Sequence, residues 1–203
     1  MVNLIPSSDS VLEILQKTGA HRHGHFVYPN GTHASHYFQM PLAFRYYDNA
    51  RVLAVGLSRL FRMQKSISSR LPKVSVISPS PGGIPVAFGV REALGADQIY
   101  WAELESGERK FRQYLGQGEV YPAIIVDDLV RSGKAIQETV KLVRELGAEI
   151  IGIGAIVRFK DAPAEVEGIE IQCLSEFDCN FYDSSKELQA AEEVVGPEEK
   201  VRF

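Results

Sequence analysis

The chain has 203 residues, 45% of them hydrophobic and 24% charged, with a formal net charge of -4. That balance excludes a disordered or collagen-like chain and predicts one domain with a sizeable core and room for a small appended lobe. Net acidity without clustered Lys and Arg excludes a general nucleic-acid footprint, so any anion site must be local. No apolar run approaches the roughly 20 residues that span a bilayer. The opening Met1-Val2-Asn3-Leu4-Ile5-Pro6 has no basic segment before an apolar one, and the expectation is a cytoplasmic protein without a membrane partner. Cys173 and Cys179 are too few for a disulfide framework and have no zinc-finger spacing around them, which predicts free thiols.

In chain order, Ser8 or Asp9 can cap a first helix whose Val11, Leu12, Ile14 and Leu15 share a face. From His21 to Tyr47 the chain is rich in His, Tyr, Phe and Pro, with an Asn30-Gly31 turn, and predicts a small lobe of short strands or loops. A helix resumes near Asp48 or Asn49 and runs through Arg62. Strand-like runs and helices then alternate. Val74 to Ile77 is a strand, Pro85 to Leu94 a helix stopped by Gly95, and Ile99 to Trp101 a strand. Ala123 to Val126 is a third strand, followed by a helix through Ile136, Val140 and Val143 to Gly147 and by an apolar strand from Ile150 to Val157. The alternation predicts a doubly wound, mostly parallel α/β sheet whose strand carboxyl ends face a ligand crevice. The tail from Asp183, with Glu187, Glu192, Glu193, Glu198 and Glu199, reads as a solvated helix or strap.

The densest chemistry lies in Val126-Asp127-Asp128-Leu129-Val130-Arg131-Ser132-Gly133-Lys134-Ala135, a buried strand, two acids, a short loop and a helix start. A helix start presents free N–H groups and the positive dipole end, which bind phosphate, and Arg131, Ser132 and Lys134 add side-chain donors. Two carboxylates just before it suit ribose hydroxyls. An ATP-binding P-loop is excluded, because Asp128 stands where that motif has a glycine and Ala135 where it has Ser or Thr. Gly152-Ile153-Gly154 is inside a strand and is no dinucleotide fingerprint.

This segment resembles the ribose-phosphate signature of type I phosphoribosyltransferases. Gly24-His25-Phe26, Asn30-Gly31-Thr32-His33, Tyr37-Phe38-Gln39, Ser78 to Pro85 and Ala102-Glu103-Leu104-Glu105 resemble the bacterial orotate phosphoribosyltransferases in order and spacing. The resemblance implies transfer of ribose 5-phosphate from phosphoribosyl pyrophosphate to a base, orotate first, with Mg²⁺ held mainly by the substrate rather than by the protein. It implies a 5-phosphate loop of Arg131, Ser132, Gly133, Lys134 and Ala135, and a pyrophosphate loop of Ser80, Pro81, Gly82 and Gly83. Asp127 and Asp128 fall on the ribose, and Tyr37, Phe38 and Arg158 on the base, with Phe159 the alternative to Arg158 at an offset of one. A mobile loop over 103–118, whose local cations are Arg109, Lys110 and Arg112, would bring basic groups to the pyrophosphate, Lys110 and Arg112 foremost. The implied organisation is a hood over 1–48, a core over 49–182 and a tail over 183–203, working as a homodimer.

The sequence also departs from the family pattern. Arg131 and Ser132 replace two threonines, Ala135 a hydroxyl, Leu104 a base and Ala34 a serine, while Glu187 and Ala190 stand where related chains have cysteines. These changes leave two other readings open, a transferase for another base and a weakly catalytic sensor that binds phosphoribosyl pyrophosphate or a nucleotide. The five histidines fall between His21 and His36, and His21, His23 and His25 alternate as strand residues on one face would, an arrangement able to hold a metal. No Cys or acid within that stretch completes a ligand set, and the resemblance assigns it to the substrate-side hood.

Overall fold

A computed structural model describes residues 4–192 and 197–201; Glu193 of the acidic tail and the opening Met1-Val2-Asn3 lie outside them. Helix α1 (Ser8–Lys17) is capped one residue earlier than expected, by Ser7, whose Oγ accepts from Ser10 N, and it buries Val11 and Leu15. Strands β1 (His21–Val27) and β2 (His33–Phe38) form an antiparallel hairpin. A short α2 (Pro41–Phe44) leads into α3 (Tyr47–Met63), and α4 (Lys65–Ser68) follows.

The sheet begins at β3 (Ser75–Ser78), followed by α5 (Ile84–Leu94), which ends where Gly95 takes the left-handed conformation. Next come β4 (Gln98–Glu105), β5 (Glu108–Phe111), β6 (Ala123–Val130), α6 (Lys134–Glu145) and β7 (Ile150–Phe159). The chain closes with β8 (Glu165–Val166), β9 (Ile169–Phe177), α7 (Ser185–Glu192) and β10 (Glu198–Lys200). Seven strands in the order β5-β4-β3-β6-β7-β9-β8 make one sheet, parallel from β4 through β9, with antiparallel β5 and β8 at its edges. The doubly wound α/β expectation holds.

Packing of α3 and α4 on β7 accounts for the glycines within that strand. A Cβ at Gly154 would lie 2.7 Å from Phe61 Cζ and one at Gly152 2.9 Å from Ile67 Cδ1. The two helices therefore approach the strand closely, and the Gly-Ile-Gly run is a packing notch.

Strands that carry little apolar signal escape the sequence reading: β5, which lies inside the expected mobile loop over 103–118, the short β8, and also β9 and β10. β9 mixes buried Ile171, Leu174 and Ser175 with exposed Glu170 and Glu176, and β10 has three exposed residues. β10 pairs in parallel with β1, so the tail joins β1 and β2 in a separate three-stranded sheet over a small cluster of Phe26, Tyr37 and Val201. Neither cysteine forms a disulfide.

Candidate functional site

Strands β3 and β6 are neighbours, yet the chain leaves them in opposite directions, through α5 to β4 and through α6 to β7. Right-handed crossovers of opposite direction put the two helices on opposite faces and open a crevice at the strands' carboxyl ends. The crevice is a cavity of about 220 Å³ lined by Ser80, Asp127, Asp128 and residues 129–136. A wider hollow of about 390 Å³ lies between α3 and α5, beside Tyr47, Arg51 and Glu92, but it has neither a main-chain donor loop nor buried acids.

β6 runs four residues past its expected end, because Asp127 pairs with Ala155 and Leu129 with Val157 of β7 and the ladder continues. The aspartates are thus set by sheet geometry rather than by a loop. Asp127 is 4% exposed, and its Oδ1 accepts from Ser80 Oγ at 2.7 Å and from Asp128 N at 3.0 Å. Asp128 Oδ1 accepts from Leu129 N at 2.9 Å. Burial pushes the Asp127 carboxyl well above the ordinary range, and the neighbouring Asp128 charge pushes it further; burial also raises Asp128. Two acids held this way are short of positive charge, the environment expected where a ligand or cation completes the site.

The Ser80–Gly83 loop lies directly on these carboxylates. A Cβ at Gly82 would stand 2.6 Å from Asp128 Oδ2, and one at Gly83 2.6 Å from both Asp127 Oδ1 and Ser78 Oγ. Only glycine permits that approach. Ser78 Oγ donates to Ser80 O, and Ser80 Oγ accepts from Gly83 N at 3.2 Å while donating to Asp127, so serine hydroxyls pre-form the loop.

On the other side, Gly133 has φ +71°, and a Cβ there would meet Pro163 Cγ at 2.9 Å. Helix α6 starts at Lys134 without a side-chain cap, and Ser132 Oγ accepts only a long 3.4 Å bond from Lys134 N. Its first N–H groups and dipole end face the cavity that Gly133, Lys134 and Ala135 line.

Several residues expected at the site are placed elsewhere. Arg131 lines the cavity, but its guanidinium lies 3.6 Å from the Phe181 ring centroid and 5.2 Å from that of Tyr28, a cation–π arrangement that draws the charge towards the hood. Lys110 pairs with Glu108, and Arg112 with Glu103 and Glu105, inside the β4–β5 hairpin. The cation that reaches the crevice loops is Arg109, which donates to Pro79 O and pairs with Glu138 of α6 at 3.0 Å. It is one of the three cations expected of the mobile loop, and its neighbour Lys110 on β5 points to the other face. Tyr37 and Phe38 point to opposite faces of β2, Tyr37 against Phe26 and Tyr28, Phe38 against His21, Phe159 and Phe177. The two rings therefore cannot cover one base together. Arg158 donates to Ala162 O and pairs with Glu176, whereas Phe159 is the residue that meets Phe38, at 5.5 Å.

No family model matches the chain. Among curated proteins it is 31% identical over 159 residues to the orotate phosphoribosyltransferase of Thermoanaerobacter sp. (strain X514), covering 78% of this chain and 80% of the relative. It is 29% identical over 175 residues to that of Thermotoga petrophila, covering 85% and 88%. Among solved structures, the orotate phosphoribosyltransferase from Aeropyrum pernix superposes with a TM-score of 0.65 at 18% identity, over 89% of this chain and 96% of that one. A phosphoribosyltransferase from Corynebacterium diphtheriae gives 0.62 at 22% identity, over 83% and 95%. A switch-point crevice with the acids Asp127 and Asp128 between two glycine-bearing loops, and a likeness that runs through most of each chain, place this protein in the orotate phosphoribosyltransferase family, a family of pentosyltransferases.

Proposed function

We propose that the enzyme moves ribose 5-phosphate from phosphoribosyl pyrophosphate to orotate, giving orotidine 5′-phosphate and pyrophosphate for pyrimidine synthesis. The observation that carries this reading is the Asp127–Asp128 pair, held by the β6 ladder between the Ser80–Gly83 loop and the uncapped start of α6. A ring nitrogen of the base bonds to C1 of the sugar as the C1–O bond to pyrophosphate breaks. Positive charge develops on the ribose and negative charge on the leaving group. Main-chain N–H groups of 132–135 grip the 5-phosphate, amides of 80–83 the pyrophosphate, and Asp127 and Asp128 the ribose side, so catalysis is positioning and electrostatics. No nucleophilic side chain takes part.

Ser80, Asp127 and Asp128 are hard oxygen donors of the kind that share Mg²⁺ with a substrate's phosphates. When bound, Mg²⁺ neutralises charge on the departing pyrophosphate. Residues 103–118 form the lid; on closure Lys110 and Arg112 exchange Glu108 and Glu103 for the leaving group. On the base side we retain Phe38, with Phe159 beside it, and leave Tyr37 and Arg158 to the packing that holds them. The working form is a cytoplasmic homodimer, in keeping with exposed Tyr47, Val52 and Phe88 on α3 and α5. Among the described residues no helix is long and apolar enough to cross a membrane.

The test is turnover with phosphoribosyl pyrophosphate, Mg²⁺ and orotate, repeated on Asp128→Asn. The substitution should cost about 10²–10³ in turnover, the scale for losing a transition-state electrostatic contact; undiminished turnover sinks the assignment. A second reading, a sensor that binds phosphoribosyl pyrophosphate without transfer, is favoured by the Arg131 guanidinium on Phe181 and by exposed Leu104. It prevails if calorimetry shows tight Mg²⁺-dependent binding while neither orotate nor any other base is consumed.

A further inference from the structure

All five histidines lie on β1 and β2, and the fold supplies the acid that their own stretch lacks. Parallel pairing of β10 with β1 sets Glu198 opposite His25. His25 Nε2 stands 2.8 Å from His33 Nδ1, and one donor atom from each of His25, His33 and Glu198 lies within 4.8 Å of the other two. His25 is buried, His33 half-buried and Glu198 exposed. Among the described residues no other set of three such donors is as close.

We propose that His25, His33 and Glu198 bind one divalent transition-metal ion of the Zn²⁺ class, which fastens the carboxyl-terminal strand to the hood. Zn²⁺ bonds of about 2.0–2.2 Å in a tetrahedron separate donors by about 3.4 Å. The imidazole pair opens slightly to meet that spacing, and the exposed Glu198 side chain swings inward. Two imidazoles and one carboxylate leave a fourth position for water, and the nitrogen donors discriminate against Mg²⁺ and Ca²⁺, which take oxygen. The site is therefore separate in place and in chemistry from the Mg²⁺ chemistry of the crevice. It also adds to what holds β10, a strand of three exposed residues fixed otherwise by its ladder with β1, by the Arg22–Glu199 pair and by Val201 packed on Phe26 and Tyr37.

The full-length chain, stripped by a chelator and dialysed, is titrated with Zn²⁺ against a chromophoric competitor and with Co²⁺ as an absorption probe. One equivalent should bind, with the intense visible bands of four-coordinate Co²⁺, and excess Mg²⁺ should not displace it. Glu198→Gln, at an exposed position, should weaken Zn²⁺ by more than the roughly 10-fold that loss of an outer hydrogen-bond partner costs. His23→Gln, also exposed, should leave affinity unchanged. Amide exchange at residues 198–200 should slow when Zn²⁺ is added. Absence of binding, equal affinity in Glu198→Gln, a loss in His23→Gln as large as that in Glu198→Gln, or exchange indifferent to Zn²⁺ each overturns the proposal.

Discussion

The crevice and the hood both withdraw polar groups from water, but by different means. In the crevice two carboxylates are fixed by a continuous ladder, β6 on β7, and overlain by glycines with no room for a methyl group. In the hood, imidazoles are held mainly by one another and by aromatic rings, His21 to His36 at 3.0 Å and His21 stacked on Phe38 at 4.5 Å, in a sheet one of whose strands comes from the far end of the chain. Rigid backbone defines the first site, and side-chain company the second. The crevice should fail abruptly under steric change, and the hood gradually under change of charge.

The sharpest break is expected from Gly83→Ala, whose methyl group would overlap Asp127 Oδ1 and Ser78 Oγ. It should cost about 1–3 kcal/mol by denaturant unfolding, the range for overpacking, and turnover should fall with it; a variant as stable and active as the parent would refute the close approach. Next is Asp127→Asn in the absence of substrate. The native pKa of Asp127 is raised, so its ionised form costs stability at neutral pH and its protonated form does not. The neutral variant should therefore melt higher than the parent at pH 7 while losing activity, with the gain shrinking as pH falls through the raised native pKa and gone below the ordinary carboxylate value of about 3.9.

Arg131→Ala tests the boundary between the two regions. If the guanidinium serves Phe181 and Tyr28, the variant loses about 0.5–2 kcal/mol of stability, the range for cation–π contacts, and KM for phosphoribosyl pyrophosphate stays within about twofold of the parent, which is under 0.5 kcal/mol. A large rise in KM would return Arg131 to the phosphate. The smallest effect is a titration. Burial, then the charges of His36 and His23, lower the His21 pKa to about 4. A depressed histidine stabilises the fold above its unfolded pKa of about 6.5 and loses that contribution as pH falls towards 4. The His21 ring signal in NMR should stay neutral at pH 5.5, and hood amides should exchange faster below that pH.

Elements that bury apolar faces were legible in the sequence, β3, α5, β4, β6, α6 and β7, because Ile, Val and Ala runs between glycines leave few alternatives. The crevice was legible for the same reason: acids directly after a buried strand have little structural purpose. β9 and β10 were not, since one mixes exposed acids with buried residues and the other has no buried face, and their pairing is decided by partners distant in sequence. Direction also escaped. That Arg131 leans towards Phe181, that Arg109 rather than Lys110 meets Pro79, and that Tyr37 and Phe38 part company depends on side-chain packing, for which residue type is silent.

Arg109 touches both sides of the crevice at once, the carbonyl of Pro79 just ahead of the Ser80–Gly83 loop and Glu138 on helix α6. It acts as a yoke. Any movement of the β4–β5 hairpin away from the crevice has to part both of these contacts, because one guanidinium makes them together.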